Sequence, residues 1–299
     1  MPLLVVGSTA FDSIETPYGK EVDCLGGSAV YCSLAASLFT EPRLVSVVGK
    51  DFPKASRDLL ATKKVRLEGL EEAAGKTFRW SGRYSADMNS RETLSVELNT
   101  FGDFRPKIPK QFNDSAFVFL ANGSPETQAS ALEQVSDPTF VVADTMDLWI
   151  ETKKDALLDL LRVVDGVILN DQEIKMLTGE NNLIRAGRKA LSIGPKLVIL
   201  KKGEHGCFLF SNFFHHALPA YPTEHVVDPT GAGDSFAGGF MGFLAECDSL
   251  SIWNLKRAIA YGTVTASITV EGFGVRAIAE ATRERVERRY QELIQFIAM

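Results

Sequence analysis

Long apolar runs are missing from this sequence. No stretch approaches the roughly 20 residues of a membrane-spanning helix, so no membrane contact is expected. Paired cysteines are missing as well. The four cysteines (Cys24, Cys32, Cys207 and Cys247) form no C-x-x-C and no metal-like cluster with histidine. That argues against a disulfide framework and fits structural thiols in a reduced, cytoplasmic protein. There is no long basic run, and the formal net charge is −6. A nucleic-acid partner is therefore not expected, although local groups can still hold a small anion. No internal repeat or low-complexity linker divides the chain. The opening "MPLLVVGSTAFD" lacks the basic flank of a signal peptide and reads as a first strand. "GSTAFD" after it does not supply G-x-G-x-x-G, which sets aside a dinucleotide-binding oxidoreductase.

The 299 residues are 45% hydrophobic and 23% charged, enough to bury a full core. Short apolar runs at 3–7, 44–49, 117–122, 139–144, 166–170 and 197–201 read as strands. Between them, 26–39, "PETQASALEQV", "ETKKDALLDLLRVV" and "NLIRAGRKALSI" carry helical spacing. The alternation predicts βαβ units and a mostly parallel sheet with helices on both faces. Ligands of such folds sit beyond the carboxyl ends of the strands. Residues 76–101 break the pattern. Phe78, Trp80 and Tyr84 share one parity, Arg79 and Arg83 the other, and "TLSVELNTF" alternates again. This predicts a hairpin with one apolar face. "FDSIETPYGKEVD" at 11–23 is expected to extend the same small sheet. "RERVERRYQELI" at 283–294 reads as an amphipathic surface helix.

"DPTGAGDSFAGGF" at 228–240 is the most informative stretch. "HVVD" is read as a strand end, Pro229 and Thr230 as a turn, and "DSFAGGFMGFLAE" as a helix. The unpaired N–H groups of a helix start and its dipole favour an anion, and glycine lets an anion approach the backbone. Asp234 in the first turn then has two readings. It is either a cap or a carboxylate that takes a proton from a hydroxyl beside a bound phosphate.

The stretch resembles the C-terminal signature of the ribokinase-like, or PfkB, carbohydrate kinases, usually written D-T-x-G-A-G-D, with Pro229 where threonine is common. The resemblance implies Asp234 as catalytic base, Gly231, Ala232 and Gly233 as the anion hole, and Asp228 with Thr230 in a cation and phosphate environment. It runs from Asp12 to Gly274. Asp12 matches an acidic residue that binds substrate hydroxyls. Gly26 and Gly27 of "GGSAVY" match a glycine pair near the substrate, and Tyr31 stands where many members carry asparagine. Asn122, ending a strand, falls near a polar substrate contact. "VGKD" at 48–51 matches a structural G-x-D turn. In "LNDQEIKMLTG", Asn170 and Glu173 match N-x-x-E, which orders magnesium, through water at Glu173, and the nucleotide phosphates; by spacing alone the same pair is a helix cap. In "KKGEHGCFLF", Gly203 and Gly206 match the nucleotide turn T-x-G-x-x-G, with Lys201 in the threonine position, a charge suited to phosphate. His205, His215 and His216 read as surface or strand residues; Asp144 ends a strand on the ligand-bearing edge, so Asp144 or Asp147 has either a place facing the cleft or, the preferred reading, a packing or capping role.

The resemblance therefore implies a three-layer α/β/α Rossmann-like ribokinase fold with a mostly parallel central sheet and a small β-sheet lid. A single domain would span 1–299, with lid segments at about 11–24 and 75–104. It also implies an ATP- and Mg2+-dependent kinase, with a monovalent cation as a further family cofactor. The acceptor is a sugar hydroxyl, a primary alcohol, with a nucleoside as the alternative. Two further expectations are a homodimer through the lid and, as the reading outside catalysis, a silent sugar- or nucleotide-binding relative.

Overall fold

The computed structural model describes residues 1–298. Thirteen strands form two sheets: β1 Leu3–Val6, β2 Ala10–Thr16, β3 Gly19–Gly26, β4 Arg43–Val48, β5 Arg66–Glu72, β6 Phe78–Tyr84, β7 Arg91–Glu97, β8 Phe117–Leu120, β9 Phe140–Asp144, β10 Gly166–Asn170, β11 Leu197–Lys201, β12 Cys207–Ser211 and β13 His215–Leu218. The large sheet has the order β13-β12-β11-β10-β9-β8-β1-β4-β5. It is parallel from β5 to β11, and β12 and β13 close one edge antiparallel. Its central strands are buried on both faces, as "LLVV", "FVFL" and "LVIL" require.

Alternate residues of each strand enter different cores. Leu3 and Val5 of β1 pack with the helices Ser28–Ala36, Ala232–Cys247 and Ile252–Thr269. Leu4 and Val6 pack with Lys154–Val163, Asp171–Thr178 and Leu183–Leu191 on the other face. This is the three-layer arrangement expected from the alternation. Glycines set the closeness of the first layer: a Cβ at Gly238 would strike the Ser28–Ala36 helix backbone at Cys32, and one at Gly239 the Tyr261 carbonyl.

The second sheet has the order β3-β2-β6-β7, so residues 11–23 do join the hairpin. β2 and β6 pair in parallel with Asp12 beside Trp80; β6 and β7 pair antiparallel with Tyr84 beside Arg91. Ala10, Asp12, Phe78, Trp80 and Tyr84 share one face, as parity predicted. The "VGKD" turn holds the root of this sheet. Asp51 accepts from the Thr77 N–H and hydroxyl, both at 2.7 Å, and from Arg79 at 2.9 Å.

Two expected elements differ. "HVVD" is not a strand: the N–H groups of Val227 and Asp228 both donate to the Val270 carbonyl, at 2.7 and 3.1 Å. The end of a helix satisfies that backbone, so no sheet neighbour is needed. The single helix read across 151–164 is two, Asp147–Thr152 and Lys154–Val163, broken at Lys153 with φ −138°. Among the described residues no helix is long and apolar enough to cross a membrane.

Candidate active site

The carboxyl ends of β9, β10 and β11 place Asp144, Asn170 and Lys201 along one edge of the large sheet, with Asn170 and Lys201 in register. Gln128 fixes that edge by donating to the carbonyls of Leu120, Ala121 and Asp144 at 2.9, 3.1 and 2.8 Å. The helix Ala232–Cys247 points its first turn at the same place. Gly231 precedes it at φ 73°, a conformation that favours glycine. The Tyr31 ring lies directly beneath Gly231, where a Cβ would collide with it. The Ala232 N–H donates to the Pro229 carbonyl at 3.2 Å. Among the described residues nothing accepts from the N–H groups of Gly231 and Gly233. These two are the open donors of the turn, and Ala232 contributes shape.

Asp234 is in the first helical turn, as the sequence suggests. Burial, then the Asp144 carboxylate, raise its pKa to about 7, against the pull of Lys201 and Arg91. Among the described residues no side-chain cap hydrogen bond is made at Gly231. Lys201 approaches from β11. Its ammonium lies 3.7 Å from the Asp144 carboxylate and would be 2.8 Å from a Cβ at Gly233. Burial works against that charge, but Asp144, Glu173 and Asp234 outweigh it and raise the lysine pKa. Asp144, for which the sequence offers a cleft-facing place beside the preferred packing or capping role, therefore belongs to this cluster. Asp147 is a local group, accepting from the Leu148 N–H at 2.9 Å.

Asn170 and Glu173 build a complete capping box. Asn170 accepts from the N–H groups of Gln172 and Glu173 at 2.9 and 2.8 Å, and Glu173 accepts from the Asn170 N–H at 2.7 Å. The structural reading of the pair is thus realised. One Glu173 oxygen remains without a protein partner among the described residues. Burial raises the Glu173 pKa to about 7, opposed by Lys201 and reinforced by Asp144. No group of three His, Cys, Asp or Glu side chains is arranged to hold a metal among the described residues. A single free carboxylate oxygen suits a magnesium ion that keeps its water. In the turn from Gly203 to Gly206, Gly203 (φ 54°) faces open space except for the Asn89 amide oxygen at 3.8 Å. Gly206 (φ 81°) instead packs on the backbone of Leu218 to Ala220.

Asp12 sits across the cleft on β2, buried against Gly26. Its pKa rises to about 8, through burial first and then the charges of Asp228 and Asp234, eased by the Gly27 N–H. Gly27 has φ 99°, and a Cβ there would meet the Ser8 carbonyl at 2.5 Å. A reciprocal pair, Ser28 N–H to Ser8 hydroxyl at 3.0 Å and Ser8 N–H to Ser28 hydroxyl at 3.2 Å, locks that junction. Tyr31, expected at the substrate, is buried under the Gly231–Gly233 turn, and its hydroxyl has no partner among the described residues. Asn122 is committed to neighbours. It accepts from Trp149 Nε1 at 3.0 Å and donates to the Met146 sulfur at 3.1 Å. Asp228 is buried with both oxygens used, by the N–H groups of Thr230 and Gly274, each at 2.9 Å. Its structural part is to tie the Thr230–Gly233 turn to the loop after Ile252–Thr269.

The small sheet closes over this cleft. The Thr230 and Tyr84 hydroxyls are 3.1 Å apart, and Asn89 at the hairpin tip donates to Glu204, between Gly203 and Gly206, at 2.9 Å. Neither Asn89 nor Arg91 was singled out from sequence. Both lie in "ADMNSRE", which reads as a polar connection, and pairing Tyr84 with Arg91 across it is the signal that finds them.

The comparisons follow this geometry. The model of the pfkB family carbohydrate kinases matches residues 3–282. The chain is 29% identical over 272 residues, 87% of its length and 96% of the relative's, to a cytidine kinase of Thermococcus kodakarensis. It is 27% identical to a nucleoside kinase of Methanothermobacter thermautotrophicus, covering 96% of this chain and 94% of that one. The crystal structure of a Methanocaldococcus jannaschii nucleoside kinase superposes with a TM-score of 0.77 at 20% identity, covering 97% and 98% of the two chains. A Thermotoga maritima ribokinase superposes at 0.76 and 20%, covering 97% and 99%. The fold is therefore the ribokinase fold, and the chain belongs to the pfkB family of carbohydrate kinases, phosphotransferases that act on a hydroxyl group.

Proposed function

We propose that this protein transfers the γ-phosphoryl group of ATP to the primary hydroxyl of a nucleoside, with Asp234 as general base. The observation that carries the acceptor is the cleft face of the lid. It sets Trp80 directly beside Asp12 and continues to Tyr84. A buried carboxyl group meets two ribose hydroxyls, its carbonyl oxygen accepting from one and its O–H donating to the other while it is neutral, and an aromatic surface beside it suits a planar base. The cytidine and nucleoside kinases among the relatives match over nearly their whole length, which supports the same acceptor.

In this reading Asp12 holds sugar hydroxyls against Gly26 and Gly27. Asp234 takes the proton of the attacking hydroxyl; a base poised near neutrality does this well. The N–H groups of Gly231 and Gly233, at the positive end of their helix, face the charge that develops on the transferred group. Lys201 meets a phosphate as a point charge, and Gly203 lets the nucleotide approach the turn. Asn170 and Glu173 would hold hydrated magnesium through its water, and that ion supplies neutralisation of phosphate charge. The lid, seated through Tyr84 and Asn89, excludes the water that would compete as acceptor. Exposed Leu94, Val96 and Leu98 on and beside the edge strand β7 support a second copy docking on the lid; sedimentation at micromolar concentration as a monomer would count against that dimer.

A panel of nucleosides and free sugars, assayed for ATP-dependent product, tests the acceptor. Nucleoside monophosphates are expected. Phosphorylation of free sugars in preference to every nucleoside would assign the site to a sugar, and binding without turnover of any of them would make the chain a silent relative.

A further inference from the structure

The connection between β6 and β7, residues 85–90, is a built turn. The Ser85 N–H donates to the Ser90 carbonyl at 3.0 Å, and the Ser90 N–H returns to the Ser85 hydroxyl at 3.3 Å. Asp87 accepts from the Ser85 hydroxyl at 2.6 Å and from the Asn89 N–H at 3.0 Å. The Met88 N–H donates to the Ser85 carbonyl at 3.0 Å, and Met88 takes φ 59°, a left-handed backbone that disfavours a residue with a Cβ. These bonds fix the Asn89 backbone, and its side-chain amide leaves the turn.

That amide crosses to the body of the protein. Its Nδ2 donates to Glu204 Oε1 at 2.9 Å, and its Oδ1 would be 3.8 Å from a Cβ at Gly203. Among the described residues neither side chain has another hydrogen-bond or ion-pair partner. Lys202, two residues before Glu204, lies over the Phe208 ring instead, 3.9 Å from its centre. The hairpin is thus attached at two turns, at Thr230 through Tyr84 and at Glu204 through Asn89. Lys201 links those turns: it ends β11 just before the one, and its ammonium would be 2.8 Å from a Cβ at Gly233 in the other. In the reading above, a nucleotide that presents its γ-phosphoryl group to Asp234 lies along this line. Gly203 is open apart from the Asn89 amide, so the side of the turn left for a phosphate is the side the hairpin tip covers.

We propose that Asn89 and Glu204 are positioning residues, a clasp that seats the acceptor lid on the nucleotide side of the cleft. The nucleotide then enters before the lid is seated and cannot leave until the clasp opens. The acceptor, against Trp80 and Asp12, draws down the same hairpin whose tip shuts in the nucleotide. Occupancy of one site thereby slows release from the other, without contact between the two ligands. The proposal rests on the phosphotransfer reading above but not on which acceptor is used.

The test is the release rate of a fluorescent N-methylanthraniloyl ADP, chased with unlabelled ADP in stopped flow. It is measured with and without saturating cytidine, or ribose if only free sugars are turned over. The variants are Asn89→Ala, Glu204→Ala, the two combined, and Glu204→Gln. Both residues are exposed, so the variants should fold, and circular dichroism checks this. In the unaltered protein the acceptor should slow ADP release by roughly three- to tenfold, the scale of one exposed hydrogen bond. Either alanine variant should release ADP at one rate with or without acceptor, and the combined variant should lose no more than either alone. Glu204→Gln keeps an acceptor for the Asn89 amide and should keep most of the slowing, which a loss of charge alone would not allow. Release indifferent to the acceptor in the unaltered protein overturns the proposal. So does slowing that survives Asn89→Ala, or Glu204→Gln that behaves as Glu204→Ala. Acceptor-slowed release that needs both residues, in a protein that phosphorylates no nucleoside or sugar, would keep the clasp and refute the phosphotransfer reading instead.

Discussion

The Lys201 ammonium stands 3.7 Å from the Asp144 carboxylate and over Gly233, at the start of the helix that carries Asp234. Lysine at this position makes a built-in counter-ion for three buried carboxylates. It holds the pKa values of Glu173 and Asp234 below where burial alone would put them. In Lys201→Met that support is lost, so the rising limb of kcat/KM against pH should move to higher pH. Asp144→Asn should move it the other way for Asp234, because Asp144 is a raising influence there. Unshifted limbs in both variants would remove this pair from the account.

Asp234 with a pKa of about 7 sets the pH dependence of the unaltered protein. The base must be ionised to accept a proton. kcat/KM should therefore climb about tenfold per pH unit below 7 and level above it. Binding of magnesium and ATP brings opposite charges, so the profile is measured at subsaturating acceptor and saturating MgATP. A flat profile between pH 5.5 and 8 would contradict the assignment.

The same burial has a cost in stability. Asp12 has a folded pKa of about 8, against 3.8 for an aspartate free in water. Its neutral form is favoured in the folded state, so this contribution is complete below pH 4 and is lost as pH rises toward 8. The loss is about 1.4 kcal/mol per pH unit across that window at most. Asp12→Asn should abolish activity with sugar-bearing acceptors yet melt higher than the unaltered protein at pH 8–9. At pH 4 the gain should vanish. Equal melting temperatures at pH 9 would show that Asp12 is not held against its charge.

Gly231 and Gly179 share a left-handed backbone, at φ 73° and 71°, with different surroundings. The Tyr31 ring fills the space beside Gly231, whereas nothing lies within 4 Å of a Cβ at Gly179. Gly179→Ala should cost only about 1 kcal/mol of helix-end strain and leave kcat intact. Gly231→Ala should cost more, about 1–3 kcal/mol, and lower kcat because the N–H groups of the turn are re-aimed. Tyr31→Phe should keep the turn in place, since the ring is what supports it. Denaturant melts with parallel turnover measurements separate the three.

Most of this site is legible before any coordinates, but unevenly. Asp234 and its turn stand in one continuous stretch, so local chemistry exposes them. The Asn170–Glu173 cap is local for the same reason. The lid parity is legible because period two survives in "KTFRWSGRY". What is not legible depends on strand order. The ion pair of Asp144 with Lys201 appears only when β9 and β11 are set on either side of β10. That the Tyr31 ring also lies under Gly231 appears only when its helix is packed there. Arg91 is hidden by a polar connection whose pairing decides which face it takes. "HVVD" has strand composition, yet the end of a distant helix satisfies its backbone.

The most direct test of the central claim is the rate of phosphoryl transfer by Asp234→Asn, with acceptor and ATP binding measured in parallel by calorimetry. Asparagine keeps the shape of the turn but cannot take the proton. The account predicts binding close to that of the unaltered protein and a kcat lower by roughly 10²–10⁴-fold. Turnover by Asp234→Asn at the unaltered rate, with the same acceptor, would contradict it.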